Sequence, residues 1–374
     1  MLRALLAIFA FVVASPGAQA QQPPALIAKA WVLADLSSGQ ILAAENADER
    51  FEPASLTKLM TAYVVFAALK EKKITLDQQV TVSERTRRVP GSRMFVDPKK
   101  PVSVDELIRG VVVQSGNDAC IALAELVAGG EQAFAGLMNK EAARLGMKNT
   151  KFMNASGLPD PQHYSTARDL QVLAAALIRD FPTQYGLYYS QKEFRYNNIT
   201  QPNRNRLLWL DPTVDGVKTG FTEAAGYCLI ASSKRGARRL LSVLLGSTSE
   251  STRAQESQKL LNWGFQFFDA VKVYGEGQAV KEIEVWKGEK RQLKAGFQSD
   301  LVLTVPKGHA ERIKGDLVTR TPLLAPITAG QRVGSLRVSL DGKSVGEYPV
   351  YALEGIPEAG LVSRAWDTLR LWLK

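Results

Sequence analysis

The stretch from Val214 to Ser247 contains the segments VDGVKTGF (214–221), AGYCLIASS (225–233) and RLLSVLLGS (239–247). In these segments apolar residues recur at every second position or form a short continuous run, as is typical of β-strands. The turn sequence KRGAR (234–238) joins the last two segments. The stretch therefore predicts three consecutive antiparallel strands.

Segments on both sides of this stretch complete a first domain. A hairpin is predicted from Ala30 to Ala44, around a Ser-Ser-Gly turn, and it would extend the sheet to five antiparallel strands. Helices are predicted at 55–69, at the run that follows the capping-box pair Ser103 and Glu106, and at 119–127, 132–145 and 251–268. We expect the early helices on one side of the sheet and helix 251–268 on the other, which is an α/β (α+β) fold.

Three further segments follow or precede this domain, which we place at residues 21–268. After Asp269 the helical pattern gives way to short alternating segments, so residues 269–355 are predicted to form a small all-β domain. Residues 356–374 are predicted to form an amphipathic helix. Residues 1–20 have a lone Arg3, an apolar run and the small residues Ala18-Gln19-Ala20, which is the pattern of a cleaved signal peptide.

The C-terminal sequence EAGLVSRAWDTLRLWLK (358–374) has an apolar face when it is placed on a helix. That face contains Val362, Ala365, Trp366, Leu369, Trp372 and Leu373, while Arg364, Asp367 and Lys374 lie on the other. Such a helix is too polar to span a bilayer but suits the headgroup plane of a membrane. We expect a peripheral membrane anchor; docking on the protein's own surface is the alternative.

Charge and metal-binding residues exclude two broad classes of protein. The net charge is +10, but the lysines are scattered and an exported protein meets little nucleic acid, so we expect no nucleic-acid partner. The chain has two histidines and two cysteines, Cys120 and Cys228, in no metal-ligand spacing, so a zinc peptidase is excluded and no metal or cofactor is expected. Both cysteines lie in apolar runs and are predicted to be buried thiols, although a disulfide between them stays open.

Three short motifs occur in order along the chain: Ser55-Leu56-Thr57-Lys58, Ser115-Gly116-Asn117 and Lys218-Thr219-Gly220. Each is weak alone, but together they form the serine, lysine and substrate-binding set of penicillin-recognising enzymes. Ser55 follows Pro53 at a predicted helix start, and three residues later Lys58 lies on the same face. A lysine buried near other cations loses its proton more easily, so Lys58 can act as the base for the nucleophile Ser55.

The other two motifs supply polar groups around that pair. Ser115 is predicted to relay a proton to the leaving amine, and Asn117 to orient Lys58 and a substrate carbonyl. Lys218 and Thr219 are predicted to bind the substrate carboxylate from an edge strand, where Gly220 lets the substrate backbone approach. Backbone N–H groups at Ser55 and near 221–222 would form the oxyanion hole.

These motifs, with NRNRLLW (203–209) and SQKLLNWGFQFFDAV (257–271), make the chain resemble the low-molecular-weight penicillin-binding proteins, the serine-type D-alanyl-D-alanine carboxypeptidases. The resemblance implies a serine β-lactamase/transpeptidase-like domain. It also implies that Ser55, Lys58 and Ser115 are catalytic and that Lys218 binds substrate, with Arg204 and Arg253 near the substrate carboxylate. Phe221 departs from the pattern, since some relatives have His there.

The resemblance further implies a substrate, inhibitors and a location. The substrate would be the stem peptide of peptidoglycan, and β-lactam antibiotics would be inhibitors. With the signal peptide and the C-terminal helix, the expected location is the periplasmic face of the inner membrane.

Four other classes of protein each differ from a carboxypeptidase in a feature that can be tested. A class A β-lactamase deacylates with a loop glutamate, and residues 150–170 contain none. A Ser-His-Asp hydrolase usually has a GxSxG motif, which the chain lacks, and His163 is expected to lie at the surface. A D,D-endopeptidase would use the same site on cross-linked peptides. A wall-binding scaffold without activity would not be labelled by a penicillin.

Overall fold

The computed structural model describes residues 22–373, in which a five-stranded antiparallel sheet is the centre of the first domain. The predicted signal peptide therefore lies outside the described residues. The strand order is β2-β1-β9-β8-β7. Its strands are β1 (Ala30–Asp35), β2 (Gln40–Glu45), β7 (Val214–Thr222), β8 (Gly226–Arg235) and β9 (Arg238–Ser247). The predicted hairpin and three-stranded meander are confirmed, and β7 is an edge strand.

Alternation along the strands explains why helices cover both faces of this sheet. In β9, Leu241, Val243 and Leu245 face one hydrophobic core, whereas Leu240 and Leu244 face another. Successive side chains of a strand point to opposite faces, so each apolar set needs its own cover. The first core is shared with the early helices, and the second with the helix after β9, as predicted.

Helices of this domain have sharp sequence signals at several ends. They are α1 (Lys58–Lys70), α2 (Glu84–Arg88), α3 (Val104–Val112), α4 (Asn117–Ala128), α5 (Glu131–Leu145), α6 (Ala167–Asp180), α7 (Pro182–Tyr188), α8 (Leu207–Leu210) and α9 (Glu250–Phe267). Ser103 and Glu106 form the predicted capping box of α3. Gly129 and Gly146 end α4 and α5 with positive φ angles of 76° and 81°.

Short strands pair outside the central sheet. They are β3 (Gln79–Val80) with β4 (Val102–Ser103), and β5 (Glu193–Tyr196) with β6 (Ile199–Pro202). Within residues 22–373 no single helix has the length and hydropathy of a membrane span. Helices α4 and α5 have that length and hydropathy only when they are taken together, and the pair is bent by 82° between them.

A separate, third hydrophobic core lies in the C-terminal β-rich region, as predicted from the alternating segments. Its strands are β10 (Phe268–Tyr274), β11 (Ala279–Trp286), β12 (Gln292–Gly296), β13 (Leu301–Pro306), β14 (Ile313–Thr319), β15 (Leu323–Leu324), β16 (Arg332–Leu340) and β17 (Lys343–Ala352). They form a six-stranded sheet, β14-β16-β17-β12-β11-β15, and the pair β10-β13. Helix α10 (Leu361–Trp372) follows.

A buried polar contact joins the two regions. The Asp35 carboxylate, which is fully buried at the end of β1, accepts hydrogen bonds from Arg238 Nε at 2.7 Å and from Thr304 Oγ1 at 2.9 Å. Thr304 lies on β13, and its hydroxyl also meets Ser38 Oγ at 2.6 Å. A buried carboxylate needs such partners to offset its desolvation. This contact therefore attaches the β-rich region to the hairpin of the first sheet.

Candidate active site

Ser55 and Lys58 touch because a short 3-10 turn, Ala54–Thr57, precedes α1. Side chains three residues apart lie directly above one another in a 3-10 turn. Lys58 Nζ lies 2.8 Å from Ser55 Oγ and donates to the carbonyl oxygen of Ser156 at 2.6 Å. The predicted helix over 55–69 thus begins three residues late, and this difference places Ser55 in the turn and Lys58 at the helix start.

The surroundings of Lys58 make it a usable base near neutral pH. Its side chain is buried, and burial lowers the pKa of the ammonium from 10.5 to about 8. The positive charge of Arg204 adds to this effect, while Asp118 opposes it. Desolvation disfavours the charged form of a lysine, so more of Lys58 is neutral than in water.

Ser115 and Lys218 form a second buried pair beside the first. Lys218 Nζ donates to Ser115 Oγ at 3.0 Å and to its neighbouring carbonyl oxygen at Thr219, also at 3.0 Å. Burial, followed by the nearby cations Lys58, Arg204 and Arg253, holds the pKa of Lys218 well below its usual value. The Lys218 ammonium faces Ser115 and does not line the cleft, so its predicted contact with a substrate carboxylate stays a prediction.

Ser115 also has an unusual backbone conformation. Its φ is +61°, in the left-handed region that non-glycine residues seldom adopt. Such conformations cost about 1 to 3 kcal/mol and concentrate at functional sites. The turn between α3 and α4 therefore holds the Ser115 hydroxyl toward Lys218 at some expense of stability.

Asn117 lies in the site but does not contact Lys58. It is the first residue of α4, and its amide Nδ2 donates to the carbonyl oxygen of Pro90 at 2.7 Å. The prediction that Asn117 orients Lys58 is therefore wrong, because the Ser156 carbonyl takes that place. Asn117 still lines the cleft, where its amide oxygen can face a substrate.

Thr219 and Gly220 continue along β7 and line the same cleft. A Cβ at Gly220 would lie 3.2 Å from Leu56 Cγ and 3.3 Å from the carbonyl oxygen of Pro53. The glycine therefore lets β7 pack against the turn that carries Ser55. From the sequence, Gly220 was predicted instead to let the substrate backbone approach. Because Gly220 has no side chain, the edge strand β7 can lie close to the turn that carries the nucleophile.

The two arginines suggested by resemblance lie on the β7 side of the site. Arg253 is buried, donates from Nη1 to the Gly220 carbonyl oxygen at 3.3 Å and lies over the Tyr227 ring at 5.5 Å. Burial lowers the pKa of its guanidinium. Arg204 is exposed at the rim of the cleft. Both can place positive charge beside a carboxylate held at Thr219.

A cleft of about 310 Å³ brings the predicted residues together. Its lining includes Ser55, Ser115, Asn117, Arg204, Thr219, Gly220, Phe221 and Arg253. Lys58 and Lys218 lie directly beneath it, through their contacts with the two serines. In the described part of the chain no cluster of His, Cys, Asp and Glu has a metal-site arrangement. Cys120 and Cys228 are buried free thiols.

The contact of the loop 154–158 with Lys58 was not predicted from the sequence. The Asn154 side-chain oxygen accepts backbone N–H groups from Gly157 at 2.7 Å and Leu158 at 3.1 Å, which shapes the loop that presents the Ser156 carbonyl. Gly157 has φ +84°, and a Cβ there would lie 1.8 Å from the Ala54 carbonyl oxygen. The only sequence signal is the turn-forming run NASG, which does not reveal its partner.

His163 was expected at the surface, and this prediction is wrong. Its side chain is 3% exposed, its Nε2 lies 2.9 Å from Thr57 Oγ1, and Phe152 packs edge-on against the ring. Burial lowers the pKa of the imidazole to about 4, so it is neutral at pH 7. The polar neighbours in DPQHYST misled the assignment because the loop folds this one residue inward.

The structural role of Asp118 was also not predicted from the sequence. Its carboxylate, 1% exposed, accepts backbone N–H groups from Met94 at 3.0 Å, Phe95 at 2.8 Å and Val96 at 3.2 Å. Asp118 thereby fixes the loop 94–96 beside the start of α4, next to the Ser115 turn.

Two families match the sequence. The family described as D-alanyl-D-alanine carboxypeptidase matches residues 17–249, and the one described as penicillin-binding protein 5, C-terminal domain, matches residues 268–358. D-alanyl-D-alanine carboxypeptidase DacC of Escherichia coli (strain K12) is 45% identical over 93% of this chain and 89% of its own length.

Solved structures agree with these matches. The crystal structure of penicillin binding protein 5 from Haemophilus influenzae has a TM-score of 0.87 and 43% identity, and covers 90% of this chain and 100% of that one. Penicillin-Binding Protein D2 from Listeria monocytogenes, in its ampicillin-bound form, has a TM-score of 0.60 and 31% identity, over 66% of this chain and 100% of that one.

Proposed function

Because the chain belongs to the D-alanyl-D-alanine carboxypeptidase family of serine peptidases, we propose that it removes the terminal D-alanine from pentapeptide stems of peptidoglycan. The observation that carries this proposal is the contact between Ser55 Oγ and Lys58 Nζ, at 2.8 Å, beside the buried pair of Ser115 and Lys218. These four side chains supply a nucleophile, a base and a proton route without a cofactor.

In the first step Ser55 Oγ attacks the carbonyl carbon between the two D-alanines, and neutral Lys58 takes its proton. With a pKa of about 8, about one Lys58 in ten is neutral at pH 7, against about three in ten thousand for a lysine of pKa 10.5. The lowered pKa therefore raises the concentration of competent enzyme by more than two orders of magnitude.

Collapse of the tetrahedral intermediate then breaks the carbon–nitrogen bond. Ser115 Oγ, held by Lys218 Nζ at 3.0 Å, can donate a proton to the departing amine, and Lys218 can replace it. Water hydrolyses the Ser55 ester in the second step. Backbone N–H groups at Ser55 and Phe221, which both line the cleft, would stabilise the negative oxygen in both steps.

Recognition of the C-terminal carboxylate falls to the β7 side of the cleft. Thr219 offers a hydroxyl there, and the buried Arg253 and the rim residue Arg204 offer positive charge. Charge-assisted hydrogen bonds of this kind are stronger than neutral ones. A peptide whose last residue is amidated would lose them, so we expect the protein to prefer a free carboxylate.

β-Lactams should acylate the same serine, and the resulting acyl-enzyme should be hydrolysed slowly. The relative from Listeria was solved with ampicillin bound. In this chain the loop 154–158 presents the Ser156 carbonyl to Lys58, and no glutamate occurs between residues 150 and 170. A water on the acyl-enzyme would therefore lack the glutamate base of a class A β-lactamase.

We also propose that the protein is exported and lies on the periplasmic face of the inner membrane, held by α10. The polar side of α10 docks on the β-rich region: buried Asp367 accepts the Lys287 backbone N–H at 2.8 Å, and Arg370 lies over the Trp286 ring. The apolar residues face outward, with Val362 87% and Trp372 83% exposed. An outward row of tryptophans and aliphatic residues suits insertion at the headgroup level.

Release of D-alanine from a synthetic pentapeptide ending in D-alanyl-D-alanine tests the proposed reaction. The wild type should release one D-alanine per peptide, and Ser55→Ala should release none. Ser92→Ala is the matched control, because Ser92 lines the cleft without contacting Lys58. A wild type that binds the pentapeptide but leaves it intact would support a wall-binding scaffold instead.

A further inference from the structure

A buried histidine lies behind the catalytic turn, and no step of the proposed reaction uses it. His163 is buried although Pro161 and Gln162, directly before it, are exposed. Burying an imidazole costs solvation energy unless its nitrogens find hydrogen-bond partners. Nε2 has such a partner in Thr57 Oγ1, at 2.9 Å. Nδ1 is buried and meets no donor or acceptor among the residues that the structure describes. The contact with Thr57 is therefore the polar contact that fixes the ring.

Thr57 lies at a sensitive point of the catalytic turn. It is the last residue of the 3-10 turn that carries Ser55, and it directly precedes Lys58 at the start of α1. Its side chain is fully buried. A contact on Thr57 thus acts on the backbone between the nucleophile and its base, whose side chains meet at 2.8 Å.

Two further contacts join the start of α1 to the segment that leads to His163. Lys58 Nζ donates to the Ser156 carbonyl oxygen at 2.6 Å, and Thr61 Oγ1 donates to the Ala155 carbonyl oxygen at 2.6 Å. Both carbonyls lie near the beginning of this segment, whereas His163 lies further along it. The histidine therefore adds a third attachment, and this one reaches the catalytic turn itself.

The Thr57 hydroxyl is also enclosed on the side of the loop backbone. A Cβ on Gly157 would lie 2.9 Å from Thr57 Oγ1, which is closer than side-chain carbons normally approach. The hydroxyl thus lies next to the loop backbone while it also contacts the imidazole of His163. Packing this close leaves the turn little freedom to shift while the contact is intact.

The ring of His163 is itself held firmly. Phe152 packs edge-on against it, with the ring centroids 5.8 Å apart and the planes at 90°. The next residue, Tyr164, pairs with Lys151 in an antiparallel bridge. Backbone pairing on one side and aromatic packing on the other give the imidazole a defined position. It can therefore transmit that position to Thr57.

His163 does not act on the substrate directly. It is not among the residues that line the cleft, where Ser55 and Ser115 face the substrate. Burial lowers the pKa of its imidazole to about 4, with Asp160 opposing this effect, so the ring has no charge at pH 7. An influence of His163 on the reaction would thus act through geometry.

From these contacts, and resting on the proposed function, we propose that His163 is a positioning residue for acylation. Through Thr57 it holds the turn that carries Ser55 against the loop whose Ser156 carbonyl orients Lys58. Without this contact the turn and the loop would separate more often, and Ser55 would lie less often within proton-transfer distance of Lys58. A displacement of about 1 Å in such an arrangement can lower a rate about a hundredfold.

The test uses two substitutions that differ in where they place an amide. In His163→Gln the side-chain nitrogen can occupy the position of Nε2 and reach Thr57, whereas in His163→Asn it reaches only the position of Nδ1. Thr57→Val removes the hydroxyl from the other partner and keeps the branched shape. His309→Asn is the matched control, because this histidine lies in the β-rich region beside Asp341.

The measurement is the labelling of each full-length variant by a fluorescent penicillin over a range of concentrations at about pH 8, which separates the acylation rate constant from the dissociation constant of the non-covalent complex. We expect His163→Asn and Thr57→Val each to lower the acylation rate constant at least about tenfold and to leave the dissociation constant within about twofold. His163→Gln should recover to within about threefold of the wild type, and His309→Asn should match it. The double variant His163→Asn/Thr57→Val should be no slower than either single variant, because both remove one contact.

Several results would overturn this inference. They are wild-type acylation by His163→Asn, equal slowing by His163→Gln and His163→Asn, and losses that multiply in the double variant. A loss explained by a smaller folded fraction, measured by thermal unfolding, would also overturn it. If His163→Asn does not fold, Thr57→Val decides the question, with Thr57→Ser as the variant expected to restore the rate. A wild type that no penicillin labels would instead overturn the proposed function.

Discussion

The pairing of Ser55 with Lys58 depends on a local detail of the backbone. Sequence spacing predicted the contact correctly, because residues three apart share a face in any helix. It did not predict that a 3-10 turn would supply the contact or that the Ser156 carbonyl, 98 positions later, would hold the other side of the ammonium. That partner comes from a loop whose course depends on tertiary packing, as does the burial of His163.

The pH dependence of acylation follows from the lowered pKa of Lys58. Below about pH 8 the amine is protonated and cannot take the Ser55 proton, so the rate of penicillin labelling should rise about tenfold per pH unit and level off above about 8. Besides burial, which lowers this pKa most, Cys120 and Asp118 raise the pKa of Lys58 and Arg204 lowers it. Labelling rates measured from pH 6 to 10 check this limb.

Lys58→Arg is the control for that profile, since an arginine keeps the charge but stays protonated throughout. This variant should be labelled at a very low rate, and that rate should not rise with pH toward pH 8. A wild-type rate that is flat from pH 6 to 9, or that keeps rising to pH 10, would contradict the assignment of Lys58 as the base.

At the scale of elements, glycines set how closely the catalytic turn, the edge strand and the loop 154–158 approach one another. The five strands were predictable because their alternating residues face two cores. Close backbone approach at Gly157 and Gly220 was not, since a glycine in sequence does not show which backbone it touches. The order of the six-stranded sheet, with β15 parallel to β11, is likewise set by long-range pairing.

Gly157→Ala should separate catalysis from simple backbone strain. The new Cβ would meet the Ala54 carbonyl oxygen, so the Ser55 turn must move and penicillin labelling should slow at least about tenfold. Gly146→Ala is the matched control: its φ of +81° is nearly the same as +84°, but nothing lies within 4 Å of its Cβ. Both variants should lose stability, by on the order of 1 kcal/mol or more.

Labelling kinetics and thermal unfolding of the two glycine variants distinguish these effects. If Gly157→Ala labels as fast as Gly146→Ala, then loop 154–158 does not position the nucleophile.

At the scale of the whole molecule, the β-rich region lies between the catalytic domain and α10. Asp35 and Thr304 join it to the first sheet, and Asp367 joins it to α10. The amphipathic pattern of residues 358–374 was readable in the sequence, but the docking of its polar side was not, because Lys287 and Trp286 lie some 80 positions away. The helix thus docks on the protein through its polar side while its apolar side faces outward, and the membrane anchor stays a prediction.

Deleting Leu361 to Lys374 should leave the protein in the supernatant after sedimentation with vesicles of zwitterionic and anionic lipid, with unchanged D-alanine release. Trp366→Ala with Trp372→Ala should weaken sedimentation in the full chain, since both rings are exposed on the apolar side. Trp209→Ala, which removes an exposed tryptophan from the other domain, is the control and should sediment like the wild type. Full sedimentation of the deletion variant would count against the anchor.

Covalent labelling by a penicillin tests directly whether Ser55 is the nucleophile of a penicillin-recognising carboxypeptidase. Intact-mass spectrometry should show one added penicillin per chain, and peptide mapping should place it on Ser55. Ser55→Ala should gain no mass while keeping its thermal unfolding temperature. A penicillin found on another residue, or a folded Ser55→Ala variant that is still labelled, would show that Ser55 is not the nucleophile.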